Sequence, residues 1–465
     1  MNRRFCVALC LWSAWSVAPA RAVDFHVNSL GDDSDAAIDG ICATAAGVCT
    51  LRAAVEEAEL QNAEDEIFLP PGIIMIVRGN LPDLQAAAGR LTITGAGFKE
   101  SVLHGSSSQI YELIWVKASG WLKIRDLTLE NFQGFVTGGG GVITDGGTLV
   151  VERCSFSGNQ SNYGGSIQQL SGGDVTVSQT AFANGMASQQ GGEIYVSSGL
   201  FRCHECIFEG AHADLDGGAI YFASGSSGRI ENSLFAGNTA DRDGGAIYSE
   251  VQNGGVELVN STVTANSAAQ NGGGIASPSH QLDIYSTTIT DNHADSDLDG
   301  TGDGGGVFYF VNAGSLIANS ILSGNLASVT INGGGLTLAW PSDCSGPVAS
   351  NGFNFIRNIL TGCDASDHGC CTITGGYGTA NPLLQPAIYN GGSTRTQAIG
   401  PGSPALENGA PGGCADGMGG ELLTDQRGAP RVANGRCDLG AFEYGSLIFN
   451  DDFDLWEWKW STVVP

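Results

Sequence analysis

Positive charge is scarce in this sequence: 20 Lys and Arg stand against 48 Asp and Glu, for a net charge of −28. A surface of that sign repels nucleic acid, anionic lipid and polyuronates, and it attracts cations. Nucleic acid is therefore excluded as a partner. Long apolar runs are also missing. Beyond the first residues nothing approaches about 18 consecutive apolar positions, so no transmembrane helix is expected. Glycine is abundant, at 70 of 465 residues, but it lacks a triplet period, which excludes collagen. With 42% apolar residues the chain has enough to bury a sizeable core, and disorder is excluded too.

The first residues read as a sorting signal. Arg3 and Arg4 precede the apolar run Phe5–Val17, and Ala20-Arg21-Ala22 presents small residues where a signal peptidase cuts. Cleavage is expected after Ala22, giving a signal peptide at 1–22. Cys10 lies inside the apolar run rather than after it, which argues against a lipid anchor. The mature chain is expected outside the cytoplasm, secreted or at the cell surface or outer membrane.

Glycine is organised in pairs. DLDGGAIYFA at 214–223 returns as DRDGGAIYSE at 241–250 and GDGGGVFYF at 302–310. A phosphate-cradling loop occurs once per site and carries Lys-Ser/Thr into a helix, neither of which applies here. Aligning the pairs gives a column Val142, Ile167, Ile194, Ile220, Ile247, Ile275, Val307 and Leu336, mostly 25–29 residues apart. A second column runs Leu129, Phe156, Phe182, Phe208, Phe235, Val263, Ile289, Leu322, and a third Val151, Val177, Cys203, Ile230, Leu258, Ile284, Ile317. Asn159, Asn238, Asn266, Asn292 and Asn325 each follow the second column by three residues. A period of this length marks a solenoid.

Segments such as GGVELVNSTVTAN and QLDIYSTTITDN alternate apolar and polar residues over short β-branched runs, which reads as strand. About three strands fit one repeat, and coils would stack at about 4.8 Å. The expected fold is all-β: a right-handed parallel β-helix of about 25–29 residues per coil, handedness following from the chirality of parallel crossovers. Gly is expected at the left-handed corners, with Asn sharing that geometry while its amides bond along the stack. A β-propeller would want longer repeats.

The GGAI and FSGN/FAGN stretches across 129–338 resemble the repeats of chlamydial polymorphic outer-membrane proteins. From Val23, the segment containing Cys49-Thr50-Leu51-Arg52-Ala53-Ala54 resembles the CSLREA-type N-terminal domain of bacterial surface proteins, with Thr50 and Ala53 replacing that family's Ser and Glu. Read physically, Leu51, Ala54, Val55 and Ala58 share one helical face with acids opposite, and Thr50 suits the N-cap. Such a helix would cap an open β-helix end. The stretches 343–363, 381–410 and 424–444 resemble the choice-of-anchor Q region, which is associated with exported β-helix proteins and implies a location rather than a reaction. The expected organisation is a helical cap at 23–80, β-helix at 81–340, the anchor-Q-like region at 341–445 and an aromatic tail at 446–465. The tail reads as a sorting signal or as a final strand over the core.

Thirteen cysteines include Cys6 and Cys10 of the leader. Cys203 falls in the third column, and Cys154 and Cys206 in a small-residue column two coils apart, about 10 Å, too far to pair with each other. All three are expected as buried thiols. Outside the repeats, Cys42–Cys49, Cys344–Cys363 and Cys414–Cys437 are the natural local disulfides, with Cys370 and Cys371 left open. Cys203-His204-Glu205-Cys206 also has metal or redox spacing, but no second ligand pair accompanies it.

One stretch has strong ligand spacing. DSDLDGTGD at 295–303 offers Asp295, Asp297 and Asp299, with Asp303 and the Thr301 carbonyl following, as in the first half of a Ca²⁺ loop. Gly306 stands at the twelfth position, so a bidentate Glu is lacking; a solvated acidic loop is the alternative. Acids also recur before the glycine pairs, at Asp214/Asp216, Asp241/Asp243 and Asp303. Asp216 and Asp243 on adjacent coils would stand about 5 Å apart, the carboxylate separation of a retaining glycosidase. They are the fallback catalytic or cation pair. No glycosidase-type motif accompanies them, and a polyuronate lyase would need a cationic groove. The expected role is an exported, surface-associated scaffold binding an extracellular glycan or cell-surface protein, with a carbohydrate-active enzyme, lyase or glycoside hydrolase, as the rival.

Overall fold

The computed structural model describes residues 22–445 apart from 60–62, 86–88, 107–110, 135–138, 253–254, 279–280, 311–313, 332–335, 359–370, 375 and 432–434. The leader up to Arg21, Cys363, Cys370 and the aromatic tail lie outside the described residues. Short strands wind into coils whose three walls are parallel sheets. Among the described residues the first wall has 19 strands, the second 11 and the third 9, the last closed by an antiparallel edge strand. The first wall carries two strand tracks per coil, which fuse into single strands at Ile194–His204 and Ile220–Glu231. Parallel pairing begins at Asp24–His26 and continues to Cys371–Thr374, wider than the repeats themselves.

The three columns stack inward in register. Phe156 pairs with Leu129 and Phe182, Phe208 with Phe182 and Phe235, and Val263 with Phe235 and Ile289. The four phenylalanines stack with ring centroids 4.9, 4.9 and 4.6 Å apart, and none is exposed. Burying each contributes about 1.5–3 kcal/mol. One column member differs from expectation. Val307 pairs with Cys344, not Leu336. Leu336–Pro341 instead folds back antiparallel on Leu326–Ile331, so a hairpin is inserted into that coil before the column resumes.

The doubled glycine is a requirement of the coil. Gly217 turns the corner at φ +68°, a conformation a Cβ disfavours. At Gly218 a Cβ would lie 2.1 Å from the Gly245 carbonyl oxygen one coil above, so no side chain fits.

Asparagine serves the corners in two ways, where the sequence reading assigned both to one set. The left-handed corner between the first and second walls holds Asn232, Asn260 and Asn319, alongside Arg153, Gln179 and Glu205. Asn238, Asn266, Asn292 and Asn325 point inward instead, each accepting from the backbone N–H of the coil below and donating to a carbonyl. Asp343 ends this ladder, accepting from Asn325.

Helix α1 (Leu51–Ala58) closes the first coils, with the Thr50 hydroxyl accepting from Ala53 N–H. Its Leu51, Ala54, Val55 and Ala58 are buried, but so is Glu57, which the amphipathic reading left exposed. Glu57 accepts from Asp39 and Gly40 N–H in the preceding loop, and Arg52 forms a buried pair with Asp32, so the loop covers the helix's polar side as well. At the other end, residues 376–431 and 435–445 run back along the second wall. Gln426 bonds Thr262 and the Ser233 carbonyl, Ala441 N–H donates to Thr288, and Arg431 reaches Asn260 and the Gly440 carbonyl. Among the described residues no helix is long and apolar enough to cross a membrane.

Candidate functional site

Of the acids before the glycine pairs, Asp216, Asp243 and Asp303 belong to a polar ladder at the corner between the third and first walls. Asp216 is fully buried. One of its carboxylate oxygens accepts from Arg242 Nε at 2.6 Å, and the other from Arg242 Nη2 and from Gln190 Nε2 at 3.2 Å. Asp243 accepts from both the backbone N–H and the side-chain amide of Asn271, at 2.8 and 3.0 Å. Asn271 in turn accepts from Asp303 N–H. Burial raises the Asp243 carboxyl above its ordinary range, the two Asn271 bonds oppose that, and the Asp216 charge adds to it. The fallback pair therefore ties successive coils together. Arg242, whose guanidinium is held protonated by Asp216, is the residue that the sequence reading missed.

Beside this ladder an outward column of the first wall is aromatic. Tyr195, Tyr221 and Tyr248 stack at 5.3 and 5.1 Å, and Tyr163 tilts against Tyr195 at 5.0 Å. Tyr221 and Tyr248 are nearly buried by their neighbours, while Tyr163 and Tyr195 are half-buried. Ala276 and Phe308 continue the column on later coils.

The acidic insertion brings Asp295, Asp297 and Asp299 together, with carboxylate oxygens within 4.8 Å of one another. Asp295 is buried and accepts Gly300 N–H on both oxygens, at 3.0 Å each. Its carboxyl is pushed up to about 6, first by burial and then by the Asp297 and Asp299 neighbours. Thr301 donates its hydroxyl to Asp299 at 2.6 Å. Asp303 stands apart from the cluster, at the corner ladder.

Glu193 is a further buried acid, and the sequence reading missed it. It occupies the position held by Ser166, Ala219 and Ala246 on other coils. In the inward amide ladder Ala211 stands where an asparagine would accept Gly185 N–H. Glu193 Oε1 accepts it instead at 2.6 Å, and Oε2 pairs with Ser166 Oγ. Burial pushes this carboxyl up to about 8.

Disulfides join Cys42 to Cys49 and Cys414 to Cys437. Cys344 is also disulfide-bonded; Cys363 lies outside the described residues. Cys203 and Cys206, expected as thiols, are disulfide-bonded to each other, with Cα atoms 6.2 Å apart. Glu205 turns the corner at φ 55°, so two inward-facing residues three apart meet across it. Two-coil spacing had ruled out Cys154 as a partner, and Cys154 is a free buried thiol, pushed up to about 12 by burial.

Residues 112–289 match the family described as right handed beta helix region. The fold is thus a right-handed parallel β-helix. Among solved structures the chain is similar to the crystal structure of pectate lyase Pel9A, at 12% identity over 91% of this chain and 96% of that one, with a TM-score of 0.45. No curated protein sequence matches the chain.

Proposed function

We propose that the chain is an exported, surface-associated β-helix scaffold that binds an extended extracellular glycan or a cell-surface protein along its side walls without turning it over. The observation that carries this reading is the fate of Asp216 and Asp243. Both oxygens of the buried Asp216 are taken by Arg242 and Gln190, and Asp243 Oδ1 accepts twice from Asn271. A general acid and base must instead reach substrate. The leader, the acidic field and the resemblance of the two ends to the CSLREA and choice-of-anchor Q regions support an exported location. Ca²⁺ held by Asp295, Asp297 and Asp299 would stiffen the insertion. For the binding face, Tyr163 and Tyr195 offer half-buried rings in tilted contact at 5.0 Å, amphipathic surface against which a sugar ring can pack.

Glycan-array binding by wild type and Tyr195→Ala tests this. The expected result is binding to a defined glycan class that weakens severalfold in the variant while circular dichroism shows the fold retained. Equal binding by the two proteins would remove this face from the reading.

A further inference from the structure

On the third wall, His212, Asp214 and Asp241 converge from two adjacent coils. His212 opens the strand His212–Ala213, and Asp214 follows it out of the wall. Asp241 occupies the equivalent place one coil on, its N–H bonded to the Ala213 carbonyl as that of Asp214 is to Ala187. His212 Nε2 lies 3.2 Å from Asp214 Oδ1 and 3.9 Å from Asp241 Oδ2, and the three donor atoms lie within 4.8 Å of one another. These separations are edges of a coordination shell whose metal–ligand bonds are about 2.0–2.2 Å. The other ring nitrogen, Nδ1, meets Thr239 Oγ1 at 2.8 Å, so the neighbouring coil fixes the ring's orientation. An outer-shell bond of this kind is what holds a ligating imidazole in place. With Nδ1 engaged by the Thr239 hydroxyl, Nε2 is the ring nitrogen turned toward the two carboxylates, where it donates an N–H to Asp214 or, with that proton displaced, ligates a cation.

We propose that His212 Nε2, Asp214 and Asp241 form a binding site for a first-row divalent metal ion, of which zinc is the natural probe. The imidazole sets the ion class: nitrogen with carboxylate oxygen suits Zn²⁺ and its neighbours, whereas the all-oxygen Asp295–Asp299 cluster suits Ca²⁺. The site staples two coils and leaves coordination positions open to solvent, where an anionic group of a ligand can bind. It goes beyond the scaffold reading and does not depend on it.

The test is calorimetric titration of the untagged full chain with ZnCl₂ in excess Ca²⁺, paired with metal analysis after dialysis. Wild type is expected to take up one equivalent of zinc at this site. Asp297→Ala with Asp299→Ala should keep it, Thr239→Val should weaken it about tenfold, and His212→Ala or Asp241→Asn should lose it. Circular dichroism of each variant checks that the exposed substitutions leave the fold intact. No saturable zinc uptake by wild type would overturn the proposal. So would uptake unchanged in His212→Ala, or lost only in the Asp297/Asp299 variant.

Discussion

Glu193 illustrates how one residue carries a coil's exception. Its coil lacks the ladder asparagine, and a buried acid accepts the orphaned Gly185 N–H in its place. The sequence contained a signal, an acid where other coils have Ser or Ala, but repeat alignment ranks shared residues and passes over a singular one. The exception has a pH signature. The folded carboxyl sits at about 8 against an ordinary 4.5, so the folded state binds the proton more tightly than the unfolded chain. This contribution is fully present below about pH 4.5 and is lost as the pH rises to about 8, at about 1.4 kcal/mol per pH unit. Glu193→Gln keeps the acceptor and removes the charge. Melting temperatures measured between about pH 5 and pH 8 should fall more steeply for wild type than for the variant, with the gap widest at the alkaline end. Parallel profiles would mean that Glu193 is not the titrating group.

Among the elements, the walls were the most legible and the insertions the least. Phe156, Phe182, Phe208 and Phe235 could be aligned from sequence because every coil repeats the same packing problem. Leu336 could not be placed, because a hairpin that pairs with itself obeys local register rather than the coil period. The Cys203–Cys206 bond was hidden for a related reason. Column arithmetic compares residues across coils, and this pair closes within one corner. The Asp295–Asp303 insertion sits between these cases: three of its acids converge as spacing implied, while Asp303 belongs to the corner ladder. Ca²⁺ must displace the proton that burial and neighbouring charge hold on Asp295, whose carboxyl lies at about 6. Calorimetry should therefore register Ca²⁺ heats that weaken as the pH falls below about 6 and vanish in Asp297→Ala with Asp299→Ala. Equal heats from the two proteins would dismiss the site.

At the scale of the molecule, a β-helix hides its core and presents long lateral faces, so its function depends on what those faces carry. Here the second wall is covered by the chain's own returning segment, held by Gln426 and Arg431. The first wall presents the tyrosine column, and the third presents the His212 cluster. The fold was readable because periodicity is a whole-chain property. The pairing of Asp216 with Arg242 was not, because it depends on which side of a corner each side chain takes. On the proposed reading, that pairing is what distinguishes a scaffold from an enzyme. The most direct test is a broad polysaccharide panel assayed for reducing ends and for unsaturated products, with wild type beside Asp216→Asn. The account predicts no turnover by either protein and a lower melting temperature for the variant, whose buried residue 216 no longer forms an ion pair with Arg242. Turnover by wild type that disappears in a folded Asp216→Asn protein would contradict it.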